Sequence, residues 1–548
     1  MTKGLKKGIN GSQQTQVPFN SDFKSGTWLF YLAGLLAIVV CMFSLTGEFV
    51  LDDRLVLVEH PIIQDKLSIW QLFFLDQWGR PLSGEVTTYR PIMPLIWWPI
   101  WHIFPNNPLA FRLFTLFLHL AAIITIIRVG RLFTNDKWIV AFASLLFAVH
   151  AVHSEVLGST AHQNEILVFI FCMWALYFIE KQALPISLLL LLLAVLIKES
   201  AIVFYMIVIL YLAARREIGK RIFFVICILM SAGLMIGVQL SLDRAPFIIG
   251  NMDNLSYDAQ GVERVLHGLY NIGRAMSLMI VPSGLAPFHG YASIDLSTET
   301  LLPYAIIGGF TLFGTTAGLI WSILKKRSGL VLGISILMGP LVLQSNLFIQ
   351  TFAELSERWL YTPSLSVCLM LSGILMVFFR FLREKRLGWF GIFCLASIVV
   401  MHLFISWKIL IAWKNNESLM AFAVRQEPAA YQSRYFHAKY LLQKEQIYEG
   451  LWYVTTSAMI KREYFKTKGQ SGRDKFSELS QLDKLSIKER FRLAPHAIEP
   501  QQPCEYVIGS LSETAKLKPA PPPEILTILA RMYAMQGFTD CFAAPGAP

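Results

Sequence analysis

Two adjacent carboxylates, Asp52 and Asp53, follow the first long apolar run of the chain, Trp28 to Thr46, within Thr46-Gly-Glu-Phe-Val-Leu-Asp52-Asp53-Arg54. Acids at the end of a membrane span are costly, so a pair of them there suits a general base or a metal site for chemistry on a lipid-borne substrate. Lys3, Lys6, Lys7 and Lys24 precede the run. The positive-inside rule keeps that end in the cytoplasm and sends the acids to the outer face. The competing reading is two solvated loop acids.

Other ionisable residues fall at the outer ends of apolar runs. In His150-Ala-Val-His153-Ser-Glu155 the two histidines have the spacing of one helical face, and Glu155 could accept from a histidine or help hold a cation. Polar capping of a helix end fits the same residues. Lys198-Glu199 separates two apolar runs. A lysine there should pair with a carboxylate, Glu199 included, or meet a phosphate. Arg358, in Ser356-Glu357-Arg358-Trp359-Leu-Tyr361, can grip a phosphate as a planar fork or simply snorkel to the interface. Arg90, in Tyr89-Arg90-Pro91, has the same two readings.

The candidate catalytic residues are therefore Asp52, Asp53, His150, His153 and Glu155. The candidate substrate-binding residues are Arg90, Lys198, Glu199, Glu357 and Arg358. No cofactor is required. If a divalent cation such as Mg or Mn takes part, Asp52, Asp53 and Glu155 are the residues to hold it. Gly-rich phosphate loops, CxxC pairs, HExxH and GxSxG are absent from the sequence, which offers no site for cytoplasmic ATP.

The elements that position these residues must lie in a membrane. Of 548 residues, 55% are hydrophobic and only 16% charged, and mean hydropathy is +0.51. A soluble chain of this length needs more charge to cover its surface. The net charge of +11 needs no nucleic acid to explain it, because most of the clustered Lys and Arg sit in short loops on the cytoplasmic side, where anionic lipid favours them. The polar, basic residues before Trp28 argue against a cleavable signal peptide. Cys41, Cys172, Cys227, Cys368 and Cys394 fall in apolar runs. Cys504 and Cys541 fall in the polar tail and could pair there.

Basic loops at the N-terminus, Arg128-Arg131-Lys137, Lys181, Arg215-Arg216-Lys220-Arg221, Lys325-Lys326-Arg327 and Arg380-Arg383-Lys385-Arg386 mark the cytoplasmic side. Spans at 28–46, 109–130, 138–153, 164–180, 184–197, 200–213, 221–241, 302–323, 329–346, 359–379 and 388–408 alternate between them. This gives an all-α polytopic bundle of about eleven crossings. The apolar but polar-punctuated 264–282 reads as re-entrant or interfacial. The expected organisation is a cytoplasmic basic tail (1–27), a transmembrane domain (28–409) with outer loops 47–108 and 242–301, a helical hairpin (410–466) and a partly irregular outer region (467–548). Trp97, Trp98 and Trp101 in the first loop favour the membrane interface.

In order, Phe49-Val-Leu-Asp52-Asp53, Tyr89-Arg-Pro91, His150-Ala-Val-His153-Ser-Glu155, Lys198-Glu199, Pro282-Ser-Gly-Leu285 and Ser356-Glu-Arg-Trp-Leu-Tyr-Thr-Pro-Ser364 resemble the motifs of the transmembrane, tetratricopeptide-containing O-mannosyltransferases (the TMTC group) and their prokaryotic relatives. The resemblance spans about 28–465. It implies a GT-C glycosyltransferase fold and inverting transfer of a mannose-like sugar from a polyprenyl-phosphate carrier to a protein Ser/Thr hydroxyl. It also implies a catalytic carboxylate at Asp52 or Asp53. Ala151, Gln163 and Glu165 depart from the group's pattern, which has Pro, Arg and Asp there. Where the group carries a long repeat array, this chain has one degenerate tetratricopeptide-like hairpin, too little for a solenoid groove.

The reading that follows is a GT-C transferase with a lipid-linked sugar donor, a protein acceptor and an outer or lumenal active face, in a bacterial inner membrane or the endoplasmic reticulum. A transferase acting on glycolipid or envelope polysaccharide is the alternative within enzymes. A transporter or flippase is the alternative outside them, but it should place its charges near the midplane rather than at one face.

Overall fold

The computed structural model describes residues 27–82, 88–241, 259–289, 298–351, 353–467, 478–498, 503–516 and 523–543, with 254, 256, 476 and 521 between them. The basic segment before Thr27, with its four lysines, lies outside the described residues, as do parts of the outer loop 242–301 and of the region after 467.

The described residues are helical, with no β-strand among them. The first half of the chain runs α1 (Thr27–Met42), α2 (Ile92–Ile103), α3 (Pro108–Val129), α4 (Lys137–Val149), α5 (Ser154–Gly158), α6 (Gln163–Glu180), α7 (Leu184–Ile197), α8 (Val203–Ala214) and α9 (Ile222–Ser241). Then come α10 (Gly261–Ile280), α11 (Thr298–Leu324), α12 (Ser328–Gln344), α13 (Tyr361–Glu384) and α14 (Gly388–Ala412). Local chemistry sets several starts. Asn107 caps α3 by accepting from the Leu109 N–H with Pro108 at the first helical position, and Asp136 caps α4 through Trp138.

Every segment expected to cross the membrane is helical. Among the described residues, six helices are long and apolar enough to do so by themselves, over Pro108–Leu132, Thr160–Glu180, Gly219–Val238, Leu301–Leu324, Glu357–Glu384 and Gly388–Ala412. The expected span 138–153 is a broken one: α4 ends at Val149, and the helix resumes over Ala151–Gly158 after a 47° bend at His150. The remaining segments, α1, α7, α8 and α12, are apolar but only 16, 14, 12 and 17 residues long. Length and composition alone therefore support six crossings, or seven with the bent pair as one, rather than eleven. The first span also ends early, at Met42, in a turn over 43–46.

One apolar core joins α1, α3, α4, α6, α7, α8 and α13. A second, around Val50, Val152, Met279, Leu341, Leu360 and Trp413, joins the Asp52 loop, α10, α12 and the foot of α14. Helix α10, the polar-punctuated segment, lies against α11 with the backbones almost touching. A Cβ on Gly273 would sit 1.9 Å from the Tyr304 carbonyl oxygen, and one on Gly308 1.9 Å from that of Leu269. Only glycine permits that crossing.

The first loop folds inward instead of lying along the interface. Trp97 is fully buried, and its indole N–H donates to Gln163 Oε1 at 2.9 Å. Trp101 is buried against Phe49 and Phe111, and only Trp98 keeps an exposed edge, with its N–H on Asp65. Trp97 turns inward because Gln163, at the start of α6, offers its indole a polar acceptor inside the bundle. Among the described residues of this loop, Trp70, Phe73, Phe74 and Phe104 are exposed.

Beyond α14 the chain forms α15 (Asn416–Gln426), α16 (Tyr431–Gln443) and α17 (Ile447–Thr467), the last two pairing as a hairpin. Helices α18 (Leu479–Leu482), α19 (Ile487–Ile498), α20 (Pro503–Ala515) and α21 (Pro523–Met535) close a separate core around Trp452, Phe491, Tyr506 and Tyr533. The described part of 467–548 is thus helical and packed. Cys504 and Cys541 form a disulfide that ties α20 to the turn after α21.

Candidate active site

The motif residues come from six separate elements, yet most of them meet at one end of the bundle, the end opposite the basic loops. Asp52 and Asp53 enter from the turn after α1. Leu51 adopts a left-handed conformation, φ 45°, and its N–H is pinned by Asn416 Oδ1 at 2.8 Å. A leucine is strained there, and the strain is held by the contact to α15.

This turn separates the two acids. Asp53 is fully buried. Its Oδ1 accepts from Ser159 Oγ and the Ala161 N–H, both at 2.8 Å, and its Oδ2 accepts from the Val50 N–H at 3.2 Å. It ties the first loop to the turn between α5 and α6. Burial raises its pKa, while the Arg112 guanidinium and these hydrogen bonds draw it back. Arg112 itself donates to the carbonyls of Gly158 and, at 2.6 Å, Glu48.

Asp52 is half-buried, and among the described residues its carboxylate has no hydrogen-bonding partner. It faces the charges of Arg358, Glu155 and Arg90. Burial pushes its pKa above the usual carboxylate range, Arg358 and Arg90 pull it down, and Glu155 pushes it up.

Around Asp52 the cations are each matched with another acid. Arg358 pairs with Glu155, through its guanidinium and through its backbone N–H at 2.8 Å. Arg90 forks onto Glu199, Nε to Oε2 at 2.8 Å and Nη2 to Oε1 at 2.6 Å, and its Nη1 donates to Gln77 at 2.6 Å. Lys198 pairs with Glu165 in the first turn of α6, not with its neighbour Glu199. The side chains at 198 and 199 point to different partners because the chain is extended at Lys198, φ −159° and ψ 130°, between α7 and the next turn. His162 is buried beside Glu155 at 3.9 Å, and among the described residues its Nδ1 has no hydrogen-bond partner.

The two motif histidines stand apart from this cluster. His150 sits at the helix break, where its Nε2 meets the Met279 carbonyl of α10 at 2.9 Å and its ring packs on His402. His153 is buried against Phe147 and Tyr361, with Nε2 2.9 Å from Ser364 Oγ. The break at His150 removes the helical face that the spacing predicts. Glu357 is likewise a tie: it accepts from the Ala286 N–H and from His289 Nε2 at 3.0 Å, fixing the Pro282–Leu285 loop. The expected cation-holding trio is not assembled, since both oxygens of Asp53 are taken by the protein. Among the described residues no group of three or more His, Cys, Asp or Glu is arranged to hold a metal ion.

Sequence reasoning missed Glu165, His162, Arg112 and Gln77 as members of this region. Glu165 and His162 carried a signal, since both are ionisable residues at the start of an apolar helix. Gln77 carried none.

Protein O-mannosyl-transferase F38B6.6 of Caenorhabditis elegans is 26% identical over 346 residues, covering 61% of this chain and 49% of that protein. Protein O-mannosyl-transferase TMTC3 of Homo sapiens is 31% identical over 134 residues, 24% of this chain and 14% of its own length. TMTC4 of Homo sapiens is 23% identical over 465 residues, 72% of this chain and 61% of its own. This chain is a homologue of the TMTC-family protein O-mannosyl-transferases. It spans about half the length of F38B6.6 and less than two thirds of the other two TMTC proteins. No family model matches the chain, and no solved structure does. The residues that carry the TMTC resemblance sort in space into two sets. Asp52, Arg90, Glu155, Lys198, Glu199 and Arg358 form the charged cluster, while Asp53, His150, His153 and Glu357 tie the elements that surround it.

Proposed function

We propose that this chain is a GT-C-type inverting glycosyltransferase. It moves a sugar, mannose by analogy with the names of its relatives, from a polyprenyl-phosphate carrier to a Ser/Thr hydroxyl of a protein. The reaction takes place at the membrane face away from the basic loops. The observation that carries the reading is Asp52: within a cluster whose arginines and lysine are each paired with another acid, its carboxylate has no hydrogen-bonding partner among the described residues.

Asp52 takes the proton of the acceptor hydroxyl as the oxygen attacks the anomeric carbon. The bond from that carbon to the phosphate oxygen breaks with inversion, and polyprenyl phosphate leaves. A carboxylate raised by burial is a better base near neutral pH than a solvated one. Arg358 and Arg90, preorganised by Glu155 and Glu199, supply the positive field that meets the charge developing on the leaving phosphate. The Cys504–Cys541 disulfide supports an oxidising compartment for the tail, consistent with an outer or lumenal location.

The test is transfer from polyprenyl-phosphate mannose by purified full-length protein, with the product followed separately in protein and lipid fractions. Label entering protein, lost in Asp52→Asn, is the expected result. Label entering lipid alone would move the acceptor to glycolipid, and no transfer with any polyprenyl-phosphate sugar would refute the donor class.

A further inference from the structure

At the opposite end of the bundle, between the ends of α1, α4, α13 and α14 next to the basic loops, lies a cavity of about 550 Å³. Its walls are apolar, with Trp28, Trp138, Met376, Phe379 and Leu395 among them, and its rim carries Arg380 and Arg383. Arg380 is held by Asp136, Nη2 to Oδ2 at 2.6 Å. Among the described residues, Arg383 is exposed and makes no side-chain hydrogen bond or ion pair.

We propose that this cavity binds an anionic phospholipid of the leaflet on the basic side of the membrane. Three observations converge on that occupant. The walls have the character and size of a ligand pocket that takes an apolar body. The two tryptophans sit at the starts of α1 and α4, the depth at which indoles favour the headgroup boundary. The guanidinium of Arg383 stands at the mouth, able to fork onto a phosphodiester, with Lys385 and Arg386 following it in the chain.

Charge complementarity favours a lipid over the chain's own N-terminal segment. That segment carries Lys3, Lys6, Lys7 and Lys24 and would meet the basic rim with like charge. The cavity lies at the other end of the bundle from Asp52, so the site is independent of the proposed transfer.

The experiment uses full-length protein in mixed micelles with phosphatidylglycerol or phosphatidylcholine, and retained lipid is counted by native mass spectrometry. Wild type should retain phosphatidylglycerol in preference to phosphatidylcholine. Arg383→Ala should lower that retention roughly tenfold, the scale of one lost charge-assisted contact. Leu395→Trp, which fills the cavity, should lower retention of both lipids, and size-exclusion behaviour and melting temperature will show whether it folds. Glycerol phosphate, a headgroup without chains, should not compete. Equal retention of the two lipids by wild type, unchanged retention in Arg383→Ala, or competition by glycerol phosphate would each overturn the proposal. Phosphatidylglycerol binding that appears only after removal of residues 1–26 would identify the N-terminal segment as the occupant, and overturn it too.

Discussion

Arg358 is joined to Glu155 twice, by its guanidinium and by its own backbone N–H at 2.8 Å, across 203 residues of sequence. The pair fixes the turn before α13 to the short helix after the break at His150. It also sets two charges of opposite sign beside the Asp52 carboxylate.

Asp52 and Asp53 should behave differently. Asp52→Asn should lower turnover by about a hundredfold or more with little change in melting temperature, the scale of a lost general base. Asp53→Ala removes three hydrogen bonds to a buried carboxylate and should cost roughly 3 kcal/mol of stability. Turnover per folded molecule should change less than in Asp52→Asn. Thermal unfolding and single-turnover transfer on the same preparations separate the two effects. The reverse pattern would exchange their roles.

Activity should fall on the acid side as Asp52 takes up a proton, at a pH above the range of a solvated aspartate, because burial raises its pKa. Glu155 adds to that rise through its negative charge. Glu155→Gln removes that charge and leaves Arg358 uncompensated, and both changes favour ionised Asp52. The acid limb of the kcat/KM profile should therefore move to lower pH. Movement to higher pH would contradict the geometry.

Arg358 should matter for the donor more than for the acceptor. Arg358→Lys keeps the charge but loses the fork, and should raise KM for the lipid-linked sugar about tenfold, with acceptor KM unchanged. Arg358→Ala should raise it further. Because Ala also leaves Glu155 buried without its cation, the Arg358→Ala, Glu155→Gln double variant should recover stability but not donor affinity. Steady-state kinetics with each substrate varied in turn checks this.

The tail disulfide closes 37 residues, and Cys504→Ser should cost roughly 3–4 kcal/mol of tail stability, read by limited proteolysis. Lys516→Cys, at an exposed position just past α20, should react with an impermeant maleimide in sealed right-side-out inner-membrane vesicles, or be protected in sealed microsomes until they are permeabilised. The opposite pattern in either preparation would place the tail, and the charged cluster with it, on the other side of the membrane.

That this chain is a helical membrane protein, with its costly ionisable residues gathered at one end, is legible in the residues alone. Both follow from one-dimensional quantities: the length of apolar runs, the bias of Lys and Arg between loops, and the expense of charge near lipid. Motif order pointed to the same residues. Which partner each residue takes is a different kind of information. Lys198 meets Glu165 rather than Glu199, Arg90 reaches Glu199 across 109 positions, and Trp97 turns inward to Gln163. Those pairings depend on how α6, α7 and the first loop pack together, which moves side chains by whole helix faces without altering hydropathy. The distinction between Asp52 and Asp53 was beyond the sequence for the same reason. Two adjacent identical residues differ only in what the fold brings to them, and here it brings hydrogen-bond donors to Asp53 and only charges to Asp52.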